Sequence, residues 1–152
     1  MNFYNLFAFV FTGICCDCLE PGSVKSAVKS SELVVLATAI SQETVIVDSS
    51  SDSLKTELSY SYWRFKFVVK NKFKGTITSD TIVVLTPDAE EACGISFALG
   101  KDYIVYGSSW TINQRTRKPV KLRENSFKTI SCTRTREFDA FEIDEIKKTL
   151  GL

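Results

Sequence analysis

The stretch YSYWRFKFVVKNKF, residues 60–73, alternates along its length: Tyr62, Arg64, Lys66 and Val68 oppose Trp63, Phe65, Phe67 and Val69. A period of two is that of a strand with one face buried and the other turned to water. Working outward, Leu33–Ile40 is a second strong strand that continues to Val47, and the Ser-rich stretch Asp48–Leu58 makes the flexible hairpin tip between the two. Gly75 turns the chain into Asp80–Leu85, and Gly100-Lys101 turns it into a buried strand, Asp102–Tyr106. Arg115–Arg123 reads as a basic loop or weak hairpin, and Phe127–Cys132 as a final short strand. Helical spacing occurs twice. Val24, Ala27 and Val28 follow Pro21-Gly22 with Ser23 as N-cap, and Phe138, Phe141, Glu142, Ile143, Ile146 and Leu150 form a C-terminal amphipathic helix. Five or six strands with one helix early and one late predict a mainly β fold, a closed or nearly closed small barrel.

At 152 residues the chain is one domain that can bury its own core, and a hydrophobic content of 44% argues against disorder. A net charge of +1 supplies no global attraction to nucleic acid or anionic membrane. The chain has no histidine, which excludes His-based triads and His-ligated metal sites and removes the commonest general base. No residue set suggests an enzyme.

The five cysteines are distributed unevenly: Cys15, Cys16 and Cys18 crowd together, and Cys93 and Cys132 stand far downstream. Cysteines two apart on an extended strand are poorly placed to bridge each other, so each looks to a distant partner. Residues 1–15, MNFYNLFAFVFTGIC, read as a secretory signal segment, with Gly13 and Cys15 before the cleavage point. The apolar run is too short to span a bilayer, which needs about 20 residues. Cleavage after Cys15 leaves 16–152 as the mature domain, with four cysteines that can pair completely. Gly13-Ile14-Cys15 fits a lipobox poorly, so plain cleavage is favoured over a lipid anchor at Cys16. The protein is expected to be secreted, or to sit in the periplasm or at the cell surface. Four cysteines allow three connectivities, and a four-thiolate zinc site is the alternative to disulfides.

Cys16-Asp17-Cys18, the short helix, Leu33–Ile40, Phe67–Gly75 (FVVKNKFKG), Cys93-Gly94, Tyr103–Gly107 (YIVYG) and Ser131-Cys132 together resemble the N-terminal, netrin-like domain of tissue inhibitors of metalloproteinases. More closely, the chain resembles their single-domain bacterial relatives, over about residues 16 to 145. The resemblance implies a closed OB-like barrel of the netrin type, with Cys16 bonded to Cys93 and Cys18 to Cys132. Closing loops of about 77 and 114 residues removes roughly 4 to 5 kcal/mol of unfolded-state entropy each in the ideal chain.

In that family the first cysteine acts directly. By resemblance, the α-amino nitrogen and carbonyl oxygen of Cys16 would chelate the catalytic zinc of a target metalloprotease, taking the position its water needs. The zinc is the partner's, so the chain needs no cofactor of its own. Asp17 would enter the specificity pocket, where the family carries a small Thr or Ser; a carboxylate there is costly unless it is paired. Glu91 and Ala92, with Glu90, would complete the contact ridge beside Cys16. The other reading is a non-inhibitory extracellular binding or adhesion module on the same fold, and in both the chain is monomeric.

Barrels of this type also bind single-stranded nucleic acid. Lys66, Lys70, Lys72, Lys74, Arg115, Arg117, Lys118, Lys121 and Arg123, with Trp63 or Trp110 for stacking, are the candidates. The near-neutral charge and expected export place them on solvated faces instead, with no nucleic-acid partner. Polyanion binding stays open for residues 115–123.

Overall fold

A computed structural model describes residues 22–48, 59–88, 93–112 and 118–152. Its elements run α1 (Val24–Ser30), β1 (Leu33–Asp48), β2 (Ser59–Lys74), β3 (Thr81–Pro87), β4 (Asp102–Gly107), β5 (Trp110–Ile112), β6 (Pro119–Lys121), β7 (Ser126–Lys128), β8 (Arg136–Glu137) and α2 (Ala140–Leu150). Six strands form one curled sheet in the order β7-β3-β2-β1-β4-β8, and β5 pairs with β6 in a separate hairpin. Neighbours in the large sheet are antiparallel except β3 and β7, which run parallel.

Two apolar clusters explain the strand sequences. The concave side of the sheet encloses Leu33, Val35, Ala37, Ala39, Phe65, Phe67, Ile82, Val84, Tyr103, Val105 and Phe127. Phe97, from the loop before β4, fills its middle: its ring meets Phe65, Phe67 and Tyr103 edge-on at 4.9, 5.1 and 4.9 Å. The intervening residues of β1 and β4 point outward, where α1 and α2 lie. Val34, Ile104 and Tyr106 meet Val28, Ile143 and Ile146 there. Covered on both faces, these stretches are continuous apolar runs, whereas β2 alternates because Lys66 and its neighbours face water.

Local chemistry fixes the joints. Ser23 caps α1 by accepting from the Ser26 N–H, and Lys74 reaches back from β2 to donate to the Val28 and Ser31 carbonyls, both at 2.6 Å. Gly75, at φ +97°, follows at once. A Cβ there would stand 2.5 Å from the Glu32 carbonyl oxygen, so both the turn and the close approach demand glycine.

Three expectations are corrected. The closed barrel is instead an open, curled sheet with β7 and β8 at its edges, and among the described residues one isolated bridge, Ser108 to Lys128, lies across the gap. The chain leaves β4 after Gly107 for the β5–β6 hairpin, so no longer ladder develops there. The final strand stops at Lys128 rather than Cys132: the Thr129 and Thr135 hydroxyls donate to the Tyr106 carbonyl at the end of β4, and the Thr133 hydroxyl braces Thr129 and the Ile130 carbonyl. The C-terminal helix starts at Ala140 with Asp139 as N-cap, which leaves Phe138 and Phe141 exposed instead of on its apolar face. The hairpin tip expected at Asp48–Leu58 falls mostly outside the described residues. Among those residues no helix is long and apolar enough to cross a membrane.

Candidate functional site

The two downstream cysteines come together at one end of the sheet. Cys93 sits in the left-handed region at φ +66°, and its carbonyl accepts from the Ser131 N–H at 2.9 Å. The loop after it is held to β3 by the buried Thr86 hydroxyl, which accepts from the Ile95 N–H at 2.9 Å. Cys132 lies in the turn closed by Thr133 N–H to the Ile130 carbonyl. Its sulfur stands 3.9 Å from that of Cys93. A disulfide is about 2.05 Å long, so the two are not bonded to each other, and neither is a free thiol. The other expected ridge residues, Cys16, Asp17, Cys18, Glu91 and Ala92, lie outside the described residues.

Beside Cys132 is a shallow cavity of about 150 Å³ whose lining includes Gly22, Ser26, Ser31, Cys132 and Arg134. Arg134 organises this place. One guanidinium nitrogen donates to the Gly22 carbonyl at 2.9 Å, and the other two N–H groups take the Glu142 carboxylate at 2.7 and 2.9 Å. Glu142 is buried under α2 and also accepts from the Tyr106 hydroxyl at 2.7 Å, with Arg136 at 3.4 Å. Burial and the adjoining Glu142 carboxylate push the Tyr106 phenol well above its ordinary range, so it serves as a permanent donor. The Glu142 carboxylate in turn raises the already high Arg134 value. Glu142 thus ties α2 to the end of β4 through Tyr106 and to the segment before β8 through Arg134.

This anchor was not anticipated from sequence. Its signal was Glu142 itself, an acid four residues before Ile146 on the apolar stripe of α2. The residues weighed for nucleic acid are dispersed: Lys74 is committed to α1, Lys70 pairs with Asp102 at 2.7 Å, and Trp63 packs edge-on against Phe65. Lys118, Lys121, Arg123 and Trp110 lie on or beside the separate hairpin, while Arg115 and Arg117 lie outside the described residues.

No protein-family model matches this chain, and no curated protein matches it either.

Proposed function

We propose that the chain is a secreted or cell-surface inhibitor-like protein of the netrin type, whose mature N-terminus at Cys16 engages the catalytic zinc of a metalloprotease. The observation carrying this reading is that Cys93 and Cys132 stand side by side, with Cys132 lining the same cavity as Gly22. A Cys-x-Cys segment can bond to both only because the two stand this close. Cys18 is four residues upstream of Gly22, a reach of about 13 Å in extended chain, and Gly22 shares the cavity with Cys132. The strand order, the parallel β3–β7 pair and the Ser108–Lys128 bridge support an OB-like plan behind the ridge.

On this reading Cys16 bonds to Cys93 and Cys18 to Cys132, and the two disulfides hold the chelating amine and carbonyl in place before binding. Little entropy is then lost on association. The amine ligates only when neutral, and an ordinary α-amino pKa of about 7.7 to 8 makes that form accessible at mild pH. Asp17 favours the second reading, a non-inhibitory binding module, because a pocket that accepts it must supply a cation.

The decisive experiment begins with the exported protein. N-terminal sequencing should find Cys16 first, and the intact mass should rise by about 4 Da on reduction of two disulfides. That protein is then titrated against a panel of zinc proteases beside a variant with one alanine added before Cys16. Inhibition that the extra residue abolishes supports chelation by the Cys16 amine. Inhibition indifferent to the extension refutes it. If neither the native protein nor Asp17→Thr inhibits any protease, the binding-module reading replaces it.

A further inference from the structure

The β5–β6 hairpin stands outside the large sheet and carries a chemistry of its own. Trp110, Ile112 and Val120 are 46, 46 and 42% exposed. Register assigns them to faces: Trp110 opposes Lys121 and Ile112 opposes Pro119 on one side, while Thr111 opposes Val120 on the other. The short hairpin thus shows apolar side chains to solvent on both faces.

Its charge is equally uneven. Residues 115–123 hold five of the nineteen basic residues and none of the eighteen acidic ones, which leaves fourteen bases against eighteen acids elsewhere. Among the described residues Lys118, Lys121 and Arg123 lie on or beside β6, with Glu32 near Lys121 and Glu124 next in the chain, and this local excess of positive charge favours an anionic surface. The base of the hairpin is fixed. Leu122 N–H donates to the Ser109 carbonyl at 2.7 Å, and the Ser109 backbone and hydroxyl both donate to Glu32.

We propose that the β5–β6 hairpin is a peripheral docking element for an anionic lipid surface. Lys121 and Arg123 meet the headgroups, and Trp110, Ile112 and Val120 enter the interfacial layer. The two-sided apolar exposure selects this partner over a soluble polyanion. A sulfated chain lying along one face would leave the other face wet, whereas immersion in the headgroup layer covers both. Tryptophan suits this layer, its ring being apolar and its N–H able to find a partner.

The test uses the whole disulfide-bonded protein and vesicles of equimolar phosphatidylcholine and phosphatidylserine, with pure phosphatidylcholine as comparison. Binding to the mixed vesicles alone is expected, weakening with salt. Tryptophan emission should shift to the blue on binding and be quenched by acyl-brominated lipid, and the shift should vanish in Trp110→Phe. Lys121→Gln and Arg123→Gln should each weaken partitioning about fivefold (~1 kcal/mol). Ile112→Ser should weaken it as well. The quenching experiment on native protein needs no variant, so a misfolded mutant cannot mask the answer. Three results overturn the proposal: no binding to the mixed vesicles, binding without a tryptophan shift, or heparin displacing lipid while Ile112→Ser binds normally.

Discussion

Arg134→Met tests the anchor beneath the cysteine pair. The substitution keeps much of the side-chain volume but deletes the two charged bonds to Glu142, at 2.7 and 2.9 Å, and the bond to the Gly22 carbonyl. The Glu142 side chain is only 2% exposed, so it loses its principal counter-ion where water cannot replace it. Breaking a buried pair from one side costs about 3–5 kcal/mol. The Tyr106 hydroxyl at 2.7 Å and Arg136 at 3.4 Å remain, which places the cost at the low end, about 3 kcal/mol. For a domain of this size each kcal/mol is roughly 2–4 °C, so the melting temperature should fall by about 6–12 °C. Urea unfolding should show a lower midpoint at unchanged slope.

The double variant Arg134→Met with Glu142→Gln distinguishes a lost ion pair from lost packing. Glutamine still accepts from Tyr106 but buries no charge, so stability should return to within about 1.5 kcal/mol of native. If Arg134→Met costs less than about 1 kcal/mol, or the second substitution restores nothing, the buried carboxylate is not what makes Arg134 necessary.

Three further outcomes follow from the packing. Phe97→Ala empties the centre of the concave core and should cost about 3–5 kcal/mol, with more from three lost edge-on ring contacts, measured by urea unfolding. Gly75→Ala should be among the most harmful small substitutions, because it opposes a φ of +97° and drives a methyl into the Glu32 carbonyl; a thermal scan reads it directly. Asp102 is held below the usual carboxylate range, first by Lys70 and then by the Thr38 hydroxyl. Its folded value lies below its unfolded one, so its contribution is complete above about pH 4 and is lost as pH falls through the folded value. Asp102→Asn should therefore lower stability at neutral pH and flatten the acid limb, the denaturant midpoints of the two proteins converging as pH falls below the folded value of Asp102. Parallel curves for the two would refute this.

Sequence alone determined the parts whose signal is local. The alternation of residues 60–73 reappears as β2, with Phe65 and Phe67 fully buried and Lys66 exposed, because a strand with one wet face must alternate. The run Leu33–Ile40, the Ser23 cap and the turns at Gly75 and Gly100 are legible for the same reason. Tertiary structure decided the rest. Phe127–Cys132 has strand composition, yet β7 ends at Lys128, and the Thr129 and Thr135 hydroxyls instead donate to the Tyr106 carbonyl at the end of β4. Phe138 and Phe141 match a helical stripe, yet the buried position in that turn goes to Glu142, whose partners Tyr106 and Arg134 are 36 and 8 residues away. Cys93 and Cys132, 39 residues apart, become neighbours only when their two loops fold onto the same end of the sheet. Periodicity and turn chemistry act over a few residues and can be read along the chain. Which buried charge finds its counter-ion, and where a curled sheet stops, depends on contacts that exist only once distant segments meet.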